Sequence, residues 1–271
     1  MLIADHKSVD KQIHIFNKND FSYLTSIGNF GEGPEEITVM GCLAIDEAHH
    51  QLYVSDHAKQ KIFSYDMDSV MVDSLYKPQV KTAMNETLFP SEYQYINDTL
   101  SIAVLIKPTS TSTFNQFLGR WNMNTGEMIP MKYTHPDIQK KRITFAASEK
   151  AGIYVECYTR HDLMTICSLD GELLYNIYGP DWDGGNGNKL QSFGTVMIGN
   201  DKIFVSYCGE DYARDSFPTK ILVFDLEGNY LKTLETGYKI SDCCYDSFNN
   251  RIILSLNDVV QFAYLDIDGI I

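Results

Sequence analysis

Two groups of residues in this chain have the types and spacing to do chemistry. The first is Asp181-Trp182-Asp183-Gly184-Gly185-Asn186-Gly187-Asn188. Its carboxylate and amide oxygens are of the kind that ligate Ca²⁺. Trp182 adds an apolar face with a polar N–H, suited to a sugar ring or a peptide side chain. Asp181 and Asp183 are therefore metal candidates, but counted as a calcium loop from Asp181 the sixth position is Asn186 rather than Gly. The twelfth is Ser192 rather than Glu. The alternative is a polar Gly/Asn loop anchored by one aromatic. The second group is Glu92 with Tyr93, Arg142 and Asp242, each near the start of an apolar run, with Glu36 just ahead of another. Charged groups in apolar surroundings need partners or water. They either pair with one another or form a small-molecule or ion site. Glu92, Tyr93, Arg142, Trp182 and Asp242 are the candidate ligand-binding residues.

Other reactive types carry less. Gly28, Gly31 and Gly33 resemble a phosphate loop in composition, but no helix follows to present its N-terminus, so turn geometry accounts for them better. Seven histidines are scattered, and no Ser or Cys nucleophile with a placed base can be argued. Six cysteines show no zinc-type spacing. Five of them (Cys42, Cys157, Cys167, Cys243 and Cys244) lie in strand-like runs, where unpaired thiols pack as small hydrophobes. Cys243 and Cys244 are expected on opposite faces of one strand.

The elements that must position these residues recur about every fifty residues. A short apolar strand starts at 2, 52, 102, 153, 203 and 252, as in Leu52-Tyr53-Val54-Ser55 and Ile203-Phe204-Val205-Ser206. An all-β unit of that length, repeated six times, predicts a single six-bladed β-propeller over 1–271, built of four-stranded antiparallel blades. With strands lettered a to d from the inside outward, the recurring motif is strand b. Tight c–d turns repeat after it, at Asn17–Asp20, Asp66–Ser69, Asn122–Gly126, Ser168–Gly171, Asp225–Gly228 and Asp266–Gly269. An opening Asp or Asn caps backbone N–H groups there, and a closing Gly or Asn accepts positive φ. Six such turns in equivalent hairpins explain the Asp-x-Asp-Gly pattern without calcium. Long connections are expected at His6–Gln12, Gly28–Glu36, Lys77–Phe89, Lys107–Asn115, Thr134–Lys141, Gly179–Gln191 and Cys208–Thr219. All are b–c or d–a connections, so they emerge at one end of the sheets, and function is expected on that face.

The first repeat begins at strand b, so its innermost strand is expected to be missing. The expectation is a natural product that extends further at the N-terminus, with a signal or anchor segment in that part. The net charge of −14 disfavours nucleic acid and anionic membrane surfaces as partners. No apolar run is long enough to span a bilayer.

The segment Ser26–Glu35, followed by Cys42–Asp46, Leu52-Tyr53-Val54-Ser55-Asp56 and Lys61-Ile62-Phe63-Ser64-Tyr65, resembles an NHL-type repeat. In such a repeat a Gly-Pro-containing loop leads into an apolar strand, a Tyr-Val-x-Asp strand and a Lys-Ile-x-x-Phe strand. Along its length the chain is similar to TolB-like six-bladed propellers of Bacteroides-type bacteria. That resemblance implies an exported protein of the periplasm or cell envelope, in many cases a lipoprotein. A lactone-hydrolysing six-bladed propeller holds a channel calcium with Glu, Asn, Asn and Asp. Here no two Asn occupy equivalent inner positions, because Asn97 and Asn200 fall at the far end of strand a.

The expected function is non-catalytic binding of a protein, peptide or glycan through the long-loop face, with no cofactor. A metal-dependent, lactonase- or lyase-like enzyme at the channel mouth, using Ca²⁺, is the second reading.

Overall fold

A computed structural model of the chain describes residues 1–73, 75–186, 190–211 and 216–271. Gly187 and Asn188 of the Asp181 loop, and part of the connection 208–219, lie outside the described residues. The chain divides into two compact units, Met1–Pro130 and Met131–Ile271.

The first unit holds three antiparallel sheets. Strands β1 (Leu2–Ala4), β2 (Lys11–Phe16) and β3 (Tyr23–Asn29) form the first, without a strand inside β1. The second is β4 (Met40–Asp46), β5 (Gln51–Asp56), β6 (Lys61–Asp66) and β7 (Gln79–Ala83), with helix α1 (Met67–Val72) between β6 and β7. The third is β8 (Phe89–Asn97), β9 (Leu100–Pro108), β10 (Phe114–Trp121) and β11 (Met128–Pro130). The second unit holds three more. One is β12 (Ile143–Ser148), β13 (Ile153–Tyr158), β14 (Leu163–Ser168) and β15 (Leu173–Tyr178). Next come β16 (Leu190–Gly199), β17 (Lys202–Asp211), β18 (Lys220–Asp225) and β19 (Tyr230–Glu235). The last sheet is β20 (Ile240–Asp246), β21 (Arg251–Leu256) and β22 (Phe262–Asp266). Each sheet is one copy of the sequence repeat.

The apolar patterning explains this layout. The strand-b motifs do not alternate, and in β13 every residue from Ile153 to Tyr158 is buried. A strand covered on both faces reads as a continuous apolar run. The covering comes from neighbouring sheets. Val155 and Ile166 pack with Val205 and Phe224 of the next sheet, and Val54 and Phe63 pack with Ile13 and Ile27 of the preceding one. Each such side chain contributes about 1.5–3 kcal/mol when fully buried. Outer strands turn largely exposed, as in β15, where Leu173, Leu174 and Tyr175 face solvent. Within each unit the inner strands lie side by side, β4 by β8, β12 by β16 and β16 by β20.

The hairpin turns behave as their residues require. Asn122 Oδ1 accepts from the N–H groups of Asn124 and Thr125, and Asp225 Oδ1 accepts from those of Glu227 and Asn229. Gly126 and Gly228 close these turns at φ 76° and 85°. The turn expected at Asp66–Ser69 is different. Asp66 caps α1 instead, accepting the Ser69 N–H at 2.7 Å. No Gly or Asn follows in Met67–Val72 to take a positive φ, so the chain continues as a helix. The connection expected at Lys77–Phe89 is likewise corrected. It contains β7, which pairs with β6 through Lys61↔Ala83 and Ile62↔Thr82.

Candidate ligand-binding cleft at the loop end of the fourth sheet

Three loops meet at one end of the sheet β12–β15. They are the segment leading into β12, the β13–β14 connection and the β15–β16 connection. Together they line a cleft of ≈ 570 Å³ bounded by Asp137, Gln139, Lys140, Arg142, Arg160, His161 and the Gly184–Asn186 turn. Two of these loops fall at connections that the sequence marked as long, 134–141 and 179–191.

Each loop is tied down by a specific contact. The segment 137–142 is anchored by Lys141, whose Nζ enters the sheet and pairs with Glu156 of β13 at 2.7 Å. Both side chains are buried, at 5% and 1% exposure. The Tyr158 hydroxyl donates to the same carboxylate at 3.1 Å, and burial, reinforced by the nearby Glu156 charge, pushes that phenol up. Arg142 turns back to donate to the Lys141 carbonyl at 2.7 Å, and its own carbonyl accepts from the Thr159 N–H. The β13–β14 connection is thus bonded directly to the start of β12.

The β15–β16 loop is held from below by Asp162, which is 2% exposed. Its carboxylate accepts the Asp181 N–H at 3.0 Å, and its carbonyl accepts the Gly179 N–H at 2.8 Å. Burial raises the Asp162 carboxyl above its ordinary value, partly offset by the Asp181 N–H. Gly179 is required here, because a Cβ would come within 2.1 Å of the Asp162 carboxylate. Across the cleft, Gly185 approaches Asp137 so closely that a Cβ would meet its carbonyl oxygen at 2.5 Å. Gly185 also adopts φ 84°, a conformation that side chains disfavour.

Behind the cleft stands an aromatic group. Trp182 lies 5.0 Å from Tyr178, 5.4 Å from His135 and 6.1 Å from His161, ring centre to ring centre. His135 Nε2 bonds the Tyr178 hydroxyl at 3.0 Å. Trp182 is half-buried in this cluster. Burial lowers both His135 and His161 below the ordinary imidazole value, against the raising charges of Asp137 and Asp183 respectively. His161 is 7% exposed, and its Nδ1 has no hydrogen-bond partner. The Asp183 Oδ1 is also buried without one.

The residues singled out from the sequence are therefore distributed. Arg142 lines the cleft, and Trp182 backs it through His161. Asp242, on β20, accepts a bond from Thr195 Oγ1 at 2.7 Å. In the first unit, Glu92 is an exposed residue of β8. Tyr93 is 4% exposed and stacks edge-on against Trp121 at 5.1 Å. Asp181 and Asp183 sit in the loop that lines the cleft. Among the described residues no three His, Cys, Asp or Glu side chains converge closely enough to hold a metal ion.

Gln139, Lys140, Arg160 and His161 carry no signal in sequence, because they come from connections with no shared motif. The Gly28–Glu36 loop also proves to have an internal clamp. Lys59 Nζ donates to the carbonyls of Gly33 and Glu36 at 2.6 and 2.5 Å, and buried Asp56 accepts the Thr38 N–H at 2.8 Å. The Glu36 carboxylate fills the space beside Gly31 and Gly33, accepting the Gly33 N–H at 2.8 Å. These glycines make room for a glutamate and not for a phosphate.

All six cysteines are free thiols. Cys243 is buried and Cys244 exposed, on opposite faces of β20 as their adjacency requires. No helix among the described residues is long and apolar enough to cross a membrane.

Comparisons with known proteins agree with this architecture. Residues 1–119 match the DUF5128 family model, described as a 6-bladed beta-propeller. No curated protein matches the sequence. Among solved structures, a member of the DUF4221 family from Bacteroides vulgatus is similar at 10% identity and a TM-score of 0.67, over 98% of this chain and 89% of that one. A protein of unknown function from Bacteroides caccae is similar at 12% identity and a TM-score of 0.58, over 99% and 90%. The extracellular domain of BT4673 from B. thetaiotaomicron is similar at 12% identity and a TM-score of 0.59, over 97% of this chain but 33% of that one. At such identities the likeness concerns the fold alone: an all-β, six-bladed propeller of antiparallel blades, four-stranded except for the three-stranded first and last.

Proposed function

We propose that this chain is a binding propeller that captures a peptide, protein or glycan at the loop end of its fourth blade, without catalysing a reaction on it. The observation that carries this reading is the cleft of ≈ 570 Å³ between three loops, each pinned by a contact of its own. A concave surface built on loops over a rigid sheet is where propellers and other scaffolds place recognition. The Gly-Pro loop and the Leu52–Asp56 and Lys61–Tyr65 strands support the NHL-type reading of the second blade. The TolB-like resemblance and the extracellular neighbour support a place in the cell envelope, where a glycan or peptide partner would be met.

Arrays of glycans and peptides probed with the purified chain test the reading. Gln139→Trp fills the cleft without changing its charge, and Gln139 is exposed, so the fold should tolerate it. Hits that Gln139→Trp abolishes support the proposal. Hits that it leaves untouched place recognition elsewhere, and turnover of a hit that chelation stops would establish the metal-dependent enzyme instead.

A further inference from the structure

We infer that two copies of this chain pair through strand β15, edge to edge and antiparallel, so that their fourth sheets join into one. The inference is independent of the binding reading above. An outer strand presents a row of N–H and C=O groups to any strand that can lie beside it, and proteins guard such edges with charge, Pro, short length or a covering element. Five of the six outer strands are guarded in one of these ways. β7 carries Lys81, β19 carries Lys232 and Glu235, and β22 carries Asp266. β11 is three residues long and ends in Pro130. β3 is interrupted by Gly28 at φ 74° and has α1 packed against it. β15 has none of these. Its run Leu173-Leu174-Tyr175-Asn176-Ile177-Tyr178 holds no charge, Pro or Gly. Leu173, Leu174, Tyr175 and Tyr178 are 40, 45, 44 and 49% exposed, and among the described residues no strand pairs outside it.

Charge and register point to a second copy as the occupant. Two chains of net charge −14 repel one another, so they meet best where neither presents a charge. β15 meets that condition, and Glu172 just before it is paired with Lys132 Nζ at 2.5 Å. The β14–β15 register passes over Leu174, leaving Tyr175–Tyr178 as the regular part of the strand. A two-fold axis between Asn176 and Ile177 sets Tyr175 opposite Tyr178 of the partner subunit, and Asn176 opposite Ile177 of the partner subunit. Aromatic pairs across strands are favourable, and no like charges face each other. The edge is thus complementary to itself, as a closed two-fold interface requires. A pairing of four residues is small, so the dimer is reversible.

Analytical sedimentation of the purified chain over a concentration series tests this. Expected is a monomer–dimer equilibrium, weakened about tenfold or more by Tyr175→Lys, which puts a charge into the edge. Raised salt should tighten the dimer, because it screens the repulsion between two acidic chains. Phe262→Lys, at a residue of β22 that is 46% exposed, should leave the equilibrium unchanged. Amide exchange at 174–178 should slow as the concentration rises. Melting of each variant as a monomer separates lost pairing from lost fold, and Leu174→Lys repeats the test if Tyr175→Lys melts early. A monomer at every concentration up to about 1 mM overturns the inference. So does a dimer that both lysine variants of β15 leave intact, or one that Phe262→Lys breaks. A dimer that raised salt weakens would be held by ion pairs, and that result also overturns it.

Discussion

Lys141 Nζ lies between the two carboxylate oxygens of Glu156, 2.8 Å from one and 2.7 Å from the other, with both side chains buried. The pair joins the loop that lines the cleft to the most buried strand of the fourth blade. A buried ion pair is costly to break from one side, because the remaining charge stays desolvated. Its geometric role is to fix Lys140 and Arg142, which flank Lys141, at the rim.

Glu156→Gln preserves the volume and removes the countercharge. Urea unfolding should show a loss of about 3–5 kcal/mol. The double change Lys141→Met with Glu156→Leu should recover most of it. If the single change were neutral, the pair would not be holding the loop.

Gly184 and Gly185 separate two effects. Both have positive φ, but a Cβ on Gly184 meets nothing within 4 Å, whereas one on Gly185 meets the Asp137 carbonyl. Gly184→Ala should cost about 1–2 kcal/mol from backbone strain alone. Gly185→Ala should cost more and should widen the cleft, seen as faster amide exchange at 137–140.

Acidification should destabilise the protein through its buried imidazoles. His57, His135 and His161 have folded pKa values lowered by burial. Below about 6.5 the unfolded chain therefore binds more protons than the folded one, and stability falls as pH falls through that value. His161 is faced by Asp183 and His135, and His135 by Asp137 and Lys141. Asp162 acts in the opposite sense, since its raised folded pKa makes its penalty grow as pH rises above 3.8. Melting at pH 7 and pH 5 reads the sum of these effects, and the His161 variant separates one share of it. His161→Asn should flatten the dependence relative to the parent chain, and an unchanged slope would remove His161 from the account.

Lys59→Met should release the Gly31–Glu36 loop. Its ammonium bonds the Gly33 and Glu36 carbonyls from a largely buried position. Loss of about 1–3 kcal/mol is expected, with faster amide exchange confined to residues 30–38. Global loosening would show that the clamp is not local.

Thiol labelling should follow exposure. Cys244 is exposed, while Cys157, Cys167, Cys208 and Cys243 are buried. Burial pushes the Cys42 thiol up to about 11 and raises those of Cys157, Cys167, Cys208 and Cys243 too. A disulfide reagent under native conditions should therefore modify Cys244 first. Rapid reaction of Cys157 would mean that the fourth blade opens readily.

The blade count was legible from the chain because each strand-b motif is a local pattern. Ile153–Tyr158 reads as a buried strand from its own residues, and Asn122 and Asp225 cap their turns within four residues. The missing inner strand of the first sheet was legible for the same reason, whereas the exposure of Cys244 was not, since a strand-like run does not say which face is covered. Helix α1 was not, because Asp66 caps a turn and a helix alike, and the absence of a Gly after it was the available signal. The site was legible only in outline. Spacing placed the long connections at one end of the sheets, and it marked Arg142 and Trp182.

What the sequence alone determined is thus the repeated unit, its turns and the face that carries long loops, since these depend on neighbours within one hairpin. Tertiary structure alone decided that Lys140, Arg160, His161 and Gly185 share one cleft. Those residues come from three connections far apart in the chain. Their meeting depends on contacts between connections and into the sheet, Lys141 to Glu156, Asp162 to Asp181 and Gly185 against Asp137, which no local pattern encodes.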